Sequence, residues 1–201
     1  MSRLFLVFVV VAPMAVAPAL AQESQMGPGK LEVTAIPAGG TFFIDRKSEP
    51  GFGSYDVGGS LTYRLARHVA VEGELGGRIG VRQSLVLGGT VTDLKTPNMF
   101  GYTGNLVVMG PPRNSLTPYV TAGVGGTTVF DRPSLGIDRR VNLLTGNVGG
   151  GVKWYATHRW GLRGDYRFIT VGAADDGPSF FGHDTRYGHR IYGAAVINVW
   201  Q

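Results

Sequence analysis

The feature that most constrains this chain is an alternation of polarity with period two, sustained over segment after segment. In segment 54–65 the odd positions are Tyr55, Val57, Gly59, Leu61, Tyr63 and Leu65, and the even positions are Ser54, Asp56, Gly58, Ser60, Thr62 and Arg64. Successive side chains of a strand point to opposite faces, so this stretch makes one apolar face and one polar face. Segment 69–82 sets Val69, Val71, Leu75, Ile79 and Val81 against Glu72, Glu74, Arg78 and Arg82. Segment 160–171 sets Leu162, Tyr166 and Phe168 against Arg163, Asp165 and Arg167. The apolar spacing of three and four that a helix needs is not what these segments show.

Five more segments alternate less cleanly. Leu31, Val33 and Ala35 oppose Glu32 and Thr34, and Pro37 with Gly39-Gly40 predicts a bulge or a break there. In 98–109, Phe100, Tyr102, Leu106 and Val108 oppose Thr103 and Asn105. In 117–130, Val120, Ala122, Val124 and Phe130 oppose Tyr119, Thr121 and Thr127. In 141–155, Leu144, Val148, Val152 and Trp154 oppose Thr145, Asn147 and Lys153. In 189–200, Ile191, Ala195, Ile197 and Val199 oppose Arg190, Tyr192, Asn198 and Trp200. Eight strands result, an even number that returns both ends of the chain to one side. The 32 glycines are more than twice the average share of about 7%, and glycine suits bulges, turns and crowded sheet positions better than helices.

The links alternate in length. Tight turns fall at Ala66-Arg67-His68, at Gly110-Pro111-Pro112-Arg113-Asn114 and at Thr157-His158-Arg159. Longer polar loops are expected at 44–53, 83–97, 131–140 and 172–188. Short turns on one end and long loops on the other is the arrangement of outer-membrane barrels. Strands of about 10 residues, tilted about 40°, cover roughly 25 Å, the height of the apolar band.

The N-terminus carries an address. Arg3 precedes the apolar run Leu4–Val11, and small residues end at Ala19-Leu20-Ala21. This is the order of a secretory signal peptide cleaved after Ala21, leaving 22–201 as one barrel domain. Pro13 and Pro18 interrupt the alternative, a membrane anchor. Without cysteine, neither a disulfide nor a thiolate metal site can form.

Alternation alone also fits a soluble, lipocalin-like barrel with its greasy face inward. Three features favour the membrane. The polar face collects Glu32, Asp56, Glu72, Glu74 and Asp165 with Arg64, Arg78, Arg82, Lys153, Arg163, Arg167 and Arg190. That set can pair inside a narrow barrel, whereas each Arg or Lys on the lipid face would cost about 2–4 kcal/mol at mid-membrane. Aromatic residues gather near strand ends: Phe42, Phe43, Tyr63, Phe100, Phe130, Trp154, Trp160 and Trp200. The closing strand nearly ends on Trp200.

The whole mature chain resembles the outer-membrane β-barrel domain family, the small eight-stranded barrels akin to the OmpA transmembrane domain and OmpX. The resemblance rests on the signal peptide, on the strand Thr117-Pro118-Tyr119-Val120-Thr121-Ala122-Gly123-Val124-Gly125-Gly126, and on Gly161-Leu162-Arg163-Gly164-Asp165-Tyr166-Arg167. It implies an all-β, antiparallel, up-and-down transmembrane barrel in the outer membrane of a Gram-negative cell envelope. It also implies delivery by periplasmic chaperones and insertion by the barrel-assembly machinery. The chain departs from the family at its end, where Gln201 follows Trp200 and Asn198 stands in a place usually apolar.

Chemistry is sparse by comparison. Gly146 to Gly151 has the spacing of a phosphate-binding loop, but Val152 stands where the lysine should be, and Lys153 is followed by Trp154. Gly123-Val124-Gly125-Gly126 lacks the third spaced glycine and a following helix. His68 and His158 fall in short turns, while His183, Asp184 and His189 lie near the last long loop with Ser179. Neither a triad nor a closed metal pattern follows from that spacing. No cofactor, metal site, catalytic residue or nucleic-acid partner is therefore expected, and the chain is expected to be a monomer. The formal charge of +5 is not gathered into one run, which argues against a nucleic-acid arm. Arg46, Lys47, Arg132, Arg139, Arg140 and Arg186 are candidate contacts to lipopolysaccharide phosphates. An eight-stranded interior is filled by side chains, which favours a plug of ion pairs over a channel. The expected function is a non-enzymatic outer-membrane barrel with a structural, envelope-integrity or surface-interaction role. The alternatives are an enzyme using the last loop on lipid or peptide, a narrow channel, and a soluble carrier.

Overall fold

The computed structural model describes residues 26–44, 50–87, 90–130, 140–172 and 184–200. The predicted signal peptide lies outside them. Ten strands form: β1 (Leu31–Phe43), β2 (Phe52–Ala66), β3 (Val69–Gly80), β4 (Arg82–Leu87), β5 (Thr90–Lys95), β6 (Met99–Met109), β7 (Leu116–Val129), β8 (Val141–Tyr155), β9 (Trp160–Val171) and β10 (Arg186–Trp200). Eight close into an antiparallel barrel in the order β1-β10-β9-β8-β7-β6-β3-β2. The wall has no free edge, so every strand finds its backbone partners on both sides. The short turns β2–β3, β6–β7 and β8–β9 share one end with the two chain termini, and the longer links share the other.

Of the bulge or break expected at Pro37, the structure forms the bulge. β1 runs unbroken, and its register shifts against β10 between Ala35 and Ala38 and against β2 between Ile36 and Gly39. A bulge absorbs the proline, which cannot donate to the ladder. The Tyr55 hydroxyl donates to the freed Pro37 carbonyl at 2.7 Å. Gly39 completes the bulge, because a Cβ there would stand 2.7 Å from the Tyr192 Cβ.

One element differs from the sequence reading: the link 83–97, expected as a loop, contains a separate hairpin of β4 and β5. Its signal was present: Leu85, Leu87, Val91 and Leu94 flank Gly88-Gly89, a pair that favours two-residue hairpins. The barrel strand stops at Gly80, where an added Cβ would meet the Thr96 carbonyl oxygen at 1.8 Å. The chain is therefore crowded where β3 leaves the wall, and the alternation of 69–82 does not continue in one strand.

The faces settle which solvent surrounds the wall. Val124, Val120, Leu75, Leu162 and Ile191 are exposed on the outside, while Glu32, Glu72, Asp165, Arg163 and Arg167 are buried within. This is the reverse of a soluble carrier, whose apolar face must point inward.

Candidate functional site

The site-like chemistry of this molecule lies along its lumen, in tiers. At the turn end, Glu32 on β1 accepts hydrogen bonds from the Lys153 ammonium and the Tyr155 hydroxyl, both on β8. All three are buried. Asn198 closes the seam beside them. Its side-chain nitrogen donates to the carbonyls of Gly27 (3.1 Å) and His158 (2.7 Å), and its oxygen accepts from the Gly29 amide at 3.0 Å. The polar residue at this usually apolar place thus ties the N-terminal segment to the closing strand. Arg64 is half-buried at the mouth and donates to the Pro28 carbonyl at 2.7 Å.

The middle tier spans the lumen between β9 and β3, which stand on opposite sides of the ring. Arg163, Asp165 and Arg167 are two residues apart on β9, so all three point inward. Arg163 donates to Glu72 and, at 2.8 Å, to Asp165. Arg167 reaches Glu72 and Asp165, each at 2.9 Å. Two guanidinium groups therefore bridge two carboxylates. Glu72 also accepts from Ser60, Thr62 and Asn105, each at 3.2 Å. The Tyr119 hydroxyl donates to Asp165 and accepts from the Arg163 Nε at 2.7 Å. Gly151 gives it room, since a Cβ there would lie 2.6 Å from that hydroxyl.

One level further from the turns, Arg190 on β10 joins Asp56 at 2.8 Å and also pairs with Glu74. Thr41 donates to Asp56 at 2.6 Å, and Arg78 donates to the Thr127 hydroxyl at 3.0 Å. A small cavity remains among Glu74, Arg78, Thr103 and Arg190, beside the glycines Gly76, Gly77 and Gly101. Above this the inward face changes character. Phe43, Phe52, Met99, Val129, Leu143 and Ile169 form an apolar cluster, joined by Leu85 and Leu94 of the hairpin. The Phe43 and Phe52 rings lie 4.8 Å apart.

Of the twelve residues expected inside, ten are buried within the lumen: Glu32, Asp56, Glu72, Glu74, Arg78, Lys153, Arg163, Asp165, Arg167 and Arg190. Arg64 sits half-buried at the mouth, and Arg82 is exposed. Arg82 opens β4 in the hairpin, paired with Lys95, and so leaves the inward face of β3. Phe43, expected in an aromatic girdle, faces the apolar cluster instead. Arg186, expected as a surface contact, is buried: its guanidinium donates to the Pro50 carbonyl at 2.7 Å and lies 5.8 Å from the Phe52 ring. It begins β10 on the inward side, so the strand's alternation turns it away from the surface. Arg46, Lys47, Arg132 and Arg139 lie outside the described residues, and Arg140 is exposed.

Sequence reading missed Tyr119, Tyr155 and Tyr192 as lumen partners, although their inward parity marked them. His189 stands on the outer wall in β10, its Nδ1 2.6 Å from the Tyr166 hydroxyl. Ser179 and His183 lie outside the described residues. Among the described residues no cluster of metal-ligating side chains forms. The glycine runs at Gly123–Gly126 and Gly146–Gly151 are strand positions of β7 and β8.

The comparisons agree with this geometry. The family model for the outer membrane protein beta-barrel domain matches residues 6–186. This chain belongs to that family. Neisserial surface protein A shares the fold with a TM-score of 0.61 and 14% identity, over 84% of this chain and 97% of that one. OprG from Pseudomonas aeruginosa aligns at 16% identity and a TM-score of 0.49, over 88% of this chain and 99% of that one. Among curated protein sequences, none matches this chain. The protein is thus a closed eight-stranded barrel of the bacterial outer membrane.

Proposed function

We propose that this barrel is a closed, non-conducting scaffold, non-enzymatic, whose role is in envelope integrity and surface interaction through its loops. The observation that carries the reading is the filling of the lumen. Ion pairs cross it at the levels of Glu32–Lys153, Glu72–Arg163 and Glu74–Arg190, and an apolar cluster roofs it. Ten ionic residues lie inside, five carboxylates and five cations. An ion entering would have to displace paired, desolvated groups, and breaking such a pair costs several kcal/mol. Planar-bilayer recording of the refolded protein is expected to show no discrete conductance. Sustained single-channel steps would overturn the proposal.

The loop side then presents the interacting surface. Arg140 is exposed beside the Phe130 ring, with its guanidinium 5.3 Å from the ring centroid. Guanidinium groups pair well with phosphate, and lipopolysaccharide offers phosphates at this level of the outer leaflet. Arg46, Lys47, Arg132 and Arg139 belong to loop-side links in the sequence and extend the same reading.

A further inference from the structure

The formal charge of this chain is not spread over the molecule. The lumen balances five carboxylates with five cations. The loop-side links, counted with Arg186, contain eight acidic and eight basic residues. Arg3 falls in the expected signal peptide, and Glu23 precedes the described residues. What remains is the turn end, with Lys30, Arg64, Arg67, Arg113 and Arg159, five basic residues in a chain of formal charge +5. Among the described residues, no Asp or Glu accompanies them at that rim; Glu32 lies deeper and is paired with Lys153.

Placement adds a second observation. Lys30 precedes β1, Arg67 lies in the β2–β3 turn, Arg113 in the β6–β7 turn and Arg159 in the β8–β9 turn. The strand order spaces these positions around the entire ring, one at each junction of that end. A folded partner would cover one side; a ring of cations suits a ligand that surrounds the barrel. The third observation is depth. All three tryptophans of the chain, Trp154, Trp160 and Trp200, stand exposed on the outer wall at this same end; the register shift at Leu31/Glu32 sets Trp200 opposite Leu31 and turns it out of the inward parity of Asn198. Indole rings settle at the headgroup level of a bilayer. The Lys30 ammonium sits 4.3 Å from the Trp200 ring centroid, so that cation is held at the same level.

We propose that the turn-end rim is a binding collar for anionic phospholipids of the inner leaflet, with the phosphodiester headgroups as ligands. Guanidinium groups at that depth meet phosphate oxygens directly. The three tryptophans report only on this leaflet, which makes the collar measurable without a label. The protein is refolded into vesicles of equimolar phosphatidylcholine and phosphatidylglycerol, with one lipid or the other brominated in its acyl chains. Quenching of tryptophan fluorescence then reads which lipid lies against the rim. Brominated phosphatidylglycerol is expected to be favoured about fivefold, from about 1 kcal/mol per basic residue near an anionic surface. The preference should shrink at high salt. It should fall to near parity in a variant combining Lys30→Gln, Arg67→Gln, Arg113→Gln and Arg159→Gln, and persist in Arg140→Gln on the loop side. Migration of unboiled against boiled protein on a gel checks that the variants fold. Should the combined variant not fold, Arg67→Gln and Arg113→Gln are read singly, each with a smaller fall. Equal quenching by the two lipids, or a preference that survives these substitutions, overturns the proposal. Pelleting with isolated peptidoglycan that these substitutions abolish, together with equal quenching, would assign the rim to an acidic polymer instead.

Discussion

The two ends of β8 obey opposite rules. Near its start, Val141 and Leu143 point inward and are buried, while Asn142 points outward and is exposed. Two residues later the faces exchange: Thr145 and Asn147 are buried inside, and Leu144 and Val148 are exposed outside. β7 makes the same exchange beside it. Val129 is inward and Thr128 outward, where Thr128 donates to Asn142 at 2.6 Å; further down, Thr121 and Thr127 are inward and Val120 and Val124 outward. One strand therefore folds under two solvents. Where lipid surrounds the wall, apolar side chains must face out and polar ones must pair within. Where the wall rises into water, the ordinary apolar core returns. The apolar cluster beneath the β4–β5 hairpin is that second regime, and placing the membrane edge at its lower limit makes a prediction that cations on the outer wall can test.

The largest expected effect comes from the lipid-surrounded part. Glu72→Ala removes the carboxylate that Arg163 and Arg167 share across the lumen. Leaving charge buried without its partner costs about 3–5 kcal/mol. Urea unfolding in vesicles, followed by tryptophan fluorescence, should show the loss. A change below about 1 kcal/mol would mean that water replaces the missing group, and that the lumen is wetter than its packing implies.

The next effect tests the boundary itself. Val124→Arg places a cation on the outer wall within the lipid-facing stretch, where the cost is about 2–4 kcal/mol. Thr128→Arg places the same cation four residues on, beyond the exchange, where about 0–1 kcal/mol is expected. Equal costs at both positions would move the membrane edge, and with it the division drawn along β7 and β8. The same unfolding measurement decides between them.

The strands were legible because period two is enforced on both faces at once. A charge is costly on a lipid-facing position and must be paired in the lumen, so Arg163, Asp165 and Arg167 declared their side by parity alone. The ion-pair partners were not legible. Glu72 and Arg163 are 91 positions apart in the chain, and only closure of the ring sets them face to face. The apolar cluster was hidden for a related reason. Phe43 and Phe52 lie beyond the point where the faces exchange, and the alternation carries no mark of which solvent lies outside. Arg186 was misplaced by the same gap, since its strand begins three residues before the clear alternation at His189.

The smallest effect separates two residues that sequence treats alike. Arg78 and Arg82 share one parity in a single alternating stretch. The structure buries Arg78 against Thr127 and leaves Arg82 exposed on the hairpin. Arg82→Ala should change stability by no more than about 0.5 kcal/mol, the range of exposed substitutions. Arg78→Ala removes a buried guanidinium and its hydrogen bond, and should cost about 1–3 kcal/mol. If the two variants unfold together, β3 continues past Gly80 and Arg82 belongs to the lumen. If they separate, the inward face of β3 ends at Gly80, and the hairpin above it is an added roof whose surface the barrel does not need in order to stand.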